Sequence, residues 1–91
     1  MTTFQKRIFE IVSKIPKGKV MSYKEIAIKI GNPFSFRAVG NVLNKNTNPK
    51  VPCHRVVRTD KKIGGYNMGA VEKESLLKEE GVVIQRGRVV F

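Results

Sequence analysis

Two short helix signals joined by a tight turn constrain the fold of this 91-residue chain more than any other feature of its sequence. Residues 22–25, Ser-Tyr-Lys-Glu, fit a capping box: the Ser22 side chain accepts from the Glu25 amide, and the Glu25 side chain returns to the Ser22 amide. Gly-Asn-Pro at 31–33 then turns the chain, and Ser35 is predicted as the N-cap of a further helix of about ten residues. The pair predicts a helix-turn-helix, whose second helix is the candidate for entering a DNA groove.

The second helix of this predicted pair has an apolar and a polar face. Its inward positions are Val39, Val42 and Leu43. A different face carries Arg37, Asn41 and Asn44 at i, i+4 and i+7. Gly40 beside them removes a side chain where a nucleic-acid backbone could come close. Periodicity does not distinguish this interpretation from an ordinary solvated face, so both stay open.

The rest of the sequence predicts further short elements around one small core. These are a helix over 3–15 ended by Pro-Lys-Gly at 16–18, an extended piece at 19–21, a weak strand at 55–58, a last helix at about 70–80 with Leu76 and Leu77 on its buried side, and a closing hairpin of 82–85 with 88–91 around Arg86-Gly87. Residues 1–91 leave no room for a second domain. We therefore expect a single domain that is mainly α (α+β), a winged helix-turn-helix-like fold with short strands and a C-terminal hairpin.

Glu80 differs from the other acidic residues of the last predicted helix. It lies four residues after Leu76 and three after Leu77, so helical periodicity turns it toward the core side. The acids that do not share this face are Glu72, Glu74 and Glu79. An inward carboxylate needs a hydrogen-bonding or charged partner, so Glu80 is a candidate functional residue.

The positive charge of the chain is concentrated in its first two thirds. Of the formal net charge of +11, residues 1–58 contribute twelve Lys and Arg against two acids, whereas residues 59–91 carry six against five. Such an imbalance in a small domain indicates a polyanionic partner that is bound with salt-sensitive affinity. Nucleic acid is favoured over an anionic membrane, because no predicted helix combines a broad apolar face with a basic one. A basic surface that is merely solvated is the alternative.

The only cysteine of the chain stands beside its only histidine, in Pro-Cys-His-Arg-Val at 52–56. A thiol with a pKa of about 8.5 is only about 3% thiolate at pH 7, whereas a pKa of about 5 makes it about 99% thiolate. A sulfur nucleophile therefore needs activating neighbours. The alternative is that Cys53 is a small buried apolar side chain and His54 its surface neighbour.

Cysteine usage and the opening residues bear on where the chain works. One cysteine excludes an internal disulfide, and Cys53 with His54 does not supply the ligands of a zinc site, so we expect no metal. We expect no secretory leader, because charged residues interrupt the first apolar positions, and no apolar run in the sequence approaches the about 18 residues that span a bilayer. We expect a soluble, cytoplasmic protein with a reduced thiol and no membrane partner.

Several motifs occur in an order that is typical of one family. They are Ile-Pro-Lys-Gly-Lys-Val-Met-Ser-Tyr at 15–23, Gly-Asn-Pro at 31–33, Arg-Ala-Val-Gly at 37–40, Pro-Cys-His-Arg-Val at 52–56, Gly-Gly-Tyr at 64–66, and Lys73 followed by Leu-Leu-Lys-Glu-Glu-Gly at 76–81. On these motifs, the chain resembles the catalytic domain of the O6-alkylguanine-DNA alkyltransferases, also called methylated-DNA–protein-cysteine methyltransferases, over nearly its whole length. The N-terminal domain of most members is expected to be missing here.

The resemblance implies a reaction without a cofactor. The protein, expected to be a monomer, would bind double-stranded DNA, rotate an O6-alkylated guanine into a pocket, and move the alkyl group irreversibly onto Cys53. His54, acting through a water, would be the base, and Glu80 would orient His54. The Tyr23 hydroxyl would donate toward a guanine ring nitrogen as the alkyl group departs. Arg37 would enter the base stack from a recognition helix docked in the minor groove.

The resemblance also implies further site positions. Asn46 would brace the turn before the cysteine, although Asn48-Pro49 is a rival because this segment is one residue shorter than the family pattern. The implied DNA contacts are Ser22, Arg37, Ala38, Gly40, Asn41 and Arg55. The implied pocket for the base and its alkyl group is bordered by Pro52, Val56, Gly65, Tyr66, Asn67 and Met68.

Two other functions stay open at this point. A non-catalytic lesion-binding protein, like the alkyltransferase-like proteins, would bind alkylated DNA and signal to other repair pathways. Those proteins typically carry tryptophan or alanine in place of the cysteine. A winged-helix transcription regulator would bind a specific operator and would not need Cys53. The presence of Cys53 favours alkyl transfer.

Overall fold

Four helices and four short strands make up the computed structural model, which describes residues 2–46, 48, 50–60, 62–63 and 70–90. In chain order they are α1 (Thr3–Ser13), β1 (Met21–Ser22), α2 (Tyr23–Ile30), α3 (Phe36–Asn44), β2 (Val56–Val57), α4 (Ala70–Glu79), β3 (Val83–Gln85) and β4 (Arg88–Val90). A 3-10 turn at Pro33–Ser35 precedes α3, and another at Cys53–Arg55, called the cysteine turn below, precedes β2. The predicted fold class, helix-rich with small sheets, is confirmed.

Helix α1 begins and ends on local signals. Thr2 and Gln5 form a capping box, in which the Gln5 amide donates to Thr2 Oγ1 at 3.1 Å and the Thr2 amide donates to Gln5 Oε1 at 2.9 Å. The helix ends at Ser13, slightly before its predicted end, because Pro16 disfavours helical backbone at the residue before it. Its buried side chains are Ile8 and Val12.

Helix α2, the following turn and α3 form the predicted helix-turn-helix. Ser22 Oγ accepts from the Glu25 amide at 3.0 Å, which is the first of the two capping-box bonds expected there. Gly31 ends α2 with φ at 93°, a left-handed conformation that glycine adopts without a Cβ penalty. The chain can therefore reverse sharply into α3.

Ser35 occupies the predicted N-cap position of α3, but its side chain makes no cap hydrogen bond. Asn32 closes the turn instead, since its Oδ1 accepts from the Phe34 amide at 3.3 Å and its carbonyl oxygen accepts from Ser35 Oγ at 2.7 Å. The 3-10 turn over Pro33–Ser35 already directs the backbone into α3. The Ser35 hydroxyl consequently bonds back to Asn32 and makes no cap bond to the amides of α3.

Strands β1 and β2 join the helix-turn-helix to the cysteine turn. They pair in parallel, with Met21 opposite Val56 and Ser22 opposite Val57. Both valines are buried, so the weak alternation predicted for this segment does not occur; a strand covered on both faces is apolar throughout. Because α2 starts directly after β1, this pairing brings the first turn of α2 beside the cysteine turn.

Helix α4 and the C-terminal hairpin build a second small core beside the main one. Leu77 packs there with Val57, Val82 and Val89, whereas Leu76, predicted to be buried with Leu77, is half-buried. The main core lies among α1, α2, α3 and the cysteine turn and contains Ile8, Val12, Ile15, Ile26, Ala27, Val39, Leu43, Cys53 and Val56. The only cysteine of the chain is thus part of the main core.

The predicted closing hairpin is present as β3 and β4, with Val83 paired to Val90 in antiparallel register. Arg86 and Gly87 both adopt left-handed backbone, with φ at 53° and 76°, as a two-residue type I′ turn requires. Phe91, the last residue of the predicted hairpin, lies outside the described residues. Within the described part of the chain, no helix is long and apolar enough to cross a bilayer.

Candidate active site

Cys53 opens the cysteine turn and lies in the main core with only 6% of its surface exposed. Its backbone amide donates to the Val51 carbonyl at 2.8 Å, which helps to hold the residue in one position. Burial raises the pKa of the Cys53 thiol, while a hydrogen bond from Asn46 and the charge of Lys73 oppose this effect only in part. The sulfur is therefore a thiol at neutral pH in the protein without a ligand.

The Asn46 side chain braces the segment that leads to the cysteine. Its Nδ2 donates to Cys53 Sγ at 3.0 Å and to the Asn48 carbonyl at 3.2 Å, and its Oδ1 accepts from the Asn48 amide at 3.1 Å. Asn48, the rival for this position, uses its own Oδ1 to accept from the Lys50 amide at 3.0 Å. The structure therefore places Asn46, and not Asn48, against the sulfur.

Glu80 forms a charged cluster with His54 and Arg55 beside the cysteine turn. His54 Nε2 lies 3.0 Å from Glu80 Oε1, Arg55 Nε donates to the same oxygen at 3.0 Å, and Arg55 Nη2 donates to Oε2. The side chains of His54 and Glu80 are each 13% exposed, and that of Arg55 is 17% exposed. The hydrogen bond from Arg55, and after it the one from His54, holds the pKa of the Glu80 carboxyl below its usual range despite burial.

Arg55 is held inside the protein, which corrects the expectation that it contacts DNA. In addition to its two bonds to Glu80, its Nη1 donates to the Ile15 carbonyl at 2.8 Å. A guanidinium offers a planar fork of donors, which suits a bidentate pair with a carboxylate. Arg55 thereby ties the chain after α1 to the cysteine turn and supplies the positive charge that the inward Glu80 needs.

The contact with Glu80 determines which nitrogen of His54 can act as a base. An ionised carboxylate only accepts hydrogen bonds, so neutral His54 carries its proton on Nε2 and its acceptor lone pair on Nδ1. The contacts of the described residues contain no direct hydrogen bond between His54 and Cys53. A link from Nδ1 to the sulfur therefore needs a bridging water, as the resemblance implies.

Lys73, for which no role was predicted, lies beside this site. It is fully buried on α4, and its Nζ donates to the Val56 carbonyl at 2.6 Å. Burial lowers the pKa of Lys73 to about 8, with Cys53 acting in the opposite direction. Lys73, Leu77 and Glu80 recur at i, i+4 and i+7, so the periodicity that turned Glu80 inward was also the signal for Lys73.

Tyr23 lies half-buried at the start of α2, between the cysteine turn and α3. Burial is the main reason that the pKa of the Tyr23 hydroxyl is raised; Cys53 adds to the effect and Arg58 opposes it. A Cβ built on Gly40 would lie 3.8 Å from Tyr23 Cε1, an ordinary contact, so among the described residues no packing demands a glycine there. A concavity of about 410 Å³ is lined by Tyr23, Phe36, Arg58, Thr59 and Asp60.

The outer face of α3 presents most of the side chains that were expected to meet DNA. Arg37, Ala38 and Asn41 are exposed, and Gly40 is half-buried. Ser22 is a correction: it is only 8% exposed, and its hydroxyl caps the first turn of α2. A buried capping hydroxyl is not a surface contact.

The expected borders of the base pocket are described only in part. Pro52 is half-buried, and its carbonyl accepts from the Arg55 amide at 3.0 Å. Val56 is fully buried with its carbonyl held by Lys73, so its side chain belongs to the core and not to an accessible wall. Outside the described residues lie Gly65, Tyr66, Asn67 and Met68. Where side chains are described, no three His, Cys, Asp or Glu residues come together as metal ligands would.

One small domain thus joins a helix-turn-helix to a buried thiol and a His–Glu–Arg cluster. Residues 3–82 match the family model described as the 6-O-methylguanine DNA methyltransferase, DNA binding domain. The chain belongs to this family. It is similar to the methylated-DNA–protein-cysteine methyltransferase of Methanosarcina barkeri, with 48% identity over 82 residues that cover 87% of this chain and 51% of that protein.

The fold is shared with solved structures of relatives, among them two in complex with DNA. OGT of Mycobacterium tuberculosis, in complex with DNA, has a TM-score of 0.83 at 42% identity, covering 88% of this chain and 50% of that chain. Atl1 of S. pombe, in complex with damaged DNA containing O6-carboxymethylguanine, has a TM-score of 0.84 at 34% identity, covering 98% of this chain and 88% of that chain. The chain thus spans about half the length of the M. barkeri and M. tuberculosis relatives and most of the length of Atl1.

Proposed function

We propose that this chain repairs O6-alkylguanine in double-stranded DNA by moving the alkyl group irreversibly onto its own Cys53. The observation that carries the proposal is the placement of Cys53 Sγ, which receives a hydrogen bond from Asn46 at 3.0 Å and adjoins His54, itself 3.0 Å from Glu80. Nucleophile, base and orienter lie in one short segment and one helix end. The names of the relatives in the same family support the same chemistry.

The proposed step exchanges one bond for another without a cofactor or metal. The Cys53 sulfur attacks the alkyl carbon, the bond between that carbon and guanine O6 breaks, and its electron pair stays on the guanine. The thiol proton passes through a water to His54 Nδ1, and the departing guanine takes up one proton, with the Tyr23 hydroxyl donating toward its ring nitrogen. The thioether on Cys53 is stable, so each molecule reacts once.

Activation of the thiol is the demanding part of this proposal. Burial keeps Cys53 protonated in the protein without a ligand, so His54 has to take the proton once the lesion is in place. The Asn46 hydrogen bond and the charge of Lys73 both lower the pKa of the thiol and therefore favour the anion that must form. Glu80, kept ionised by Arg55, accepts from His54 Nε2 and so leaves Nδ1 as the nitrogen that can take the proton.

The proposed DNA contact is the outer face of α3. Arg37, Ala38 and Asn41 are exposed there, within the basic first two thirds of the chain. We propose that α3 docks in the minor groove, where little sequence is read, and that Arg37 fills the space left by the everted base. The reduced thiol is expected to work in the cytoplasm.

Lesion binding without transfer is the second candidate. It is favoured by the similarity to Atl1 over 98% of this chain and 88% of that one, since that structure contains damaged DNA. Cys53 is the feature that separates the two candidates, because a binder has no use for a nucleophile. Both candidates predict affinity for a duplex that carries O6-alkylguanine.

Intact-mass measurement after incubation with a duplex carrying one O6-methylguanine tests the proposal. We expect the mass of one methyl group on Cys53, in equal amount to the lesion consumed, and no addition from a duplex with ordinary guanine. Cys53→Ser is the matched control and should bind the lesion duplex without gaining mass. Unchanged mass in the natural chain, with binding retained, would assign it to the second candidate.

A further inference from the structure

Phe34 is the most exposed large apolar side chain among the described residues, with 87% of its surface accessible. It lies in the turn of the helix-turn-helix, three residues before Arg37. Scattered apolar side chains are normal on protein surfaces. A fully exposed aromatic ring next to Arg37, at the start of α3, is unfavourable in water and often marks a place where a partner binds. Phe34 is therefore a candidate contact residue for a binding partner.

The backbone that carries this ring is held in place. The Phe34 amide donates to Asn32 Oδ1 at 3.3 Å, and Ser35 donates to the Asn32 carbonyl through both its amide, at 3.0 Å, and its Oγ, at 2.7 Å. Pro33 fixes a further backbone angle. A ring presented on an ordered turn loses little conformational entropy when it is covered, so it suits binding.

We propose that Phe34 inserts into the DNA base stack next to the everted nucleotide, as an aromatic wedge that works beside Arg37. This inference rests on the proposed function, because it uses the same α3 face and the same duplex. Minor-groove proteins often insert apolar side chains such as Phe between base steps, and stacking on a ring tolerates any base sequence. The positive charge of residues 1–58 makes a polyanion the matching partner for this turn.

Phe36 gives an internal contrast with Phe34. Phe36 is 39% exposed and lines the concavity next to Tyr23, whereas Phe34 does not line it. A change at Phe36 is expected to alter both the handling of the base and the contact with the duplex. A change at Phe34 should alter the contact with the duplex alone.

Fluorescence anisotropy with a lesion-bearing duplex tests the wedge, using Cys53→Ser so that no transfer occurs. We expect Phe34→Ala in this background to bind about tenfold more weakly, which lies within the range that stacking of one base on an aromatic ring contributes. The slope of affinity against salt should stay unchanged, because no phosphate contact is lost. A 2-aminopurine placed next to the lesion should be brighter with Phe34 present than with Phe34→Ala, because the wedge separates it further from its neighbours in the stack.

Ile28→Ala is the matched control, because it also removes an exposed apolar side chain, 54% accessible on α2. Ile28 shares its helix face with the acidic Glu25, and a face with negative charge is not expected to meet DNA. Ile28→Ala should bind the duplex as the parent does, and thermal melting should be equal for the parent and both variants. In the chain with Cys53, Phe34→Ala should react with free O6-methylguanine base at the parental rate.

Three results would overturn the wedge. They are equal duplex affinity of Phe34→Ala and its parent, an unchanged 2-aminopurine signal, or a loss of affinity that comes with a lower salt slope. These results differ from failure of the proposed function. If the natural chain gained no methyl group but its affinity for the lesion duplex still depended on Phe34, the proposed transfer would be refuted and the proposed wedge would stand.

Discussion

In the charged cluster each polar side chain has a partner inside the protein, whereas on the outer face of α3 the side chains of Arg37, Ala38 and Asn41 are exposed. The two arginines make the contrast concrete, since the Arg55 guanidinium is bonded to Glu80 and Ile15 while Arg37 faces solvent. A group that moves a proton has to be held in a fixed geometry, because small misplacements are expensive in rate. Side chains that are to contact DNA, in contrast, have to be exposed, so that they can bond to the ligand and not to other residues of the protein.

The largest expected effect is a difference in the free energy of unfolding between variants of these two arginines. Arg55→Ala should lower the free energy of unfolding by about 3 kcal/mol, because the Glu80 carboxylate loses its two hydrogen bonds from the guanidinium and the Ile15 carbonyl loses one. Arg37→Ala, on the exposed face, should change it by less than about 0.5 kcal/mol. Urea unfolding of the two variants measures the difference, and equal losses would break the contrast.

The buried Lys73 should make the stability of the protein depend on pH. Its pKa of about 8 lies below that of an unfolded lysine, about 10.4, so between these values the unfolded chain binds more protons and the folded state gains stability as pH rises. Below pH 8 both states are protonated and this gain is absent. Relative to Lys73→Met, the chain with Lys73 should gain about 2–3 kcal/mol from pH 8 to pH 10.5.

Unfolding by urea at several pH values measures this gain, in a Cys53→Ser background that removes titration of the thiol. A constant difference between Lys73 and Lys73→Met across this range would mean that the ammonium is hydrated in the folded state.

Glu80→Gln sharpens the catalytic half of the comparison. The amide keeps the shape of the side chain but replaces the carboxylate that accepts from His54 Nε2 with a weaker, neutral acceptor, so transfer should slow by about thirtyfold, or about 2 kcal/mol. Affinity for the lesion duplex should stay unchanged, because the Glu80 carboxylate contacts His54 and Arg55 and is not one of the exposed side chains of α3. Single-turnover transfer and anisotropy measure the two quantities, and an equal loss of both would count against an orienting role.

Arg37→Ala is expected to have the smallest effect and to act on the other half. Transfer from duplex DNA should fall by about tenfold, or about 1.4 kcal/mol, because the space left by the everted base is no longer filled. Reaction with the free O6-methylguanine base should keep its rate. If both rates fell alike, Arg37 would be a structural residue of α3.

Much of the fold follows from signals that act within about four residues. The cap at Ser22, the glycine at the end of α2 and the type I′ turn all depend on immediate neighbours, which is why the helix-turn-helix and the hairpin were predicted at their observed places. Periodicity alone turned Glu80 inward. Where a local signal failed, as at Ser35, a competing local hydrogen bond to Asn32 replaced it.

The sequence by itself determined the helices, the turn chemistry and the pairing of one thiol with one imidazole, because these depend on residues that are neighbours along the chain. Only the tertiary structure decided that Arg55 bonds to Glu80 and to Ile15, 40 positions away, that Asn46 and not Asn48 reaches the sulfur, and that Lys73 is buried against Val56. Buried polar groups take whichever partners the packing of distant elements brings within hydrogen-bond distance, and no local pattern contains that information.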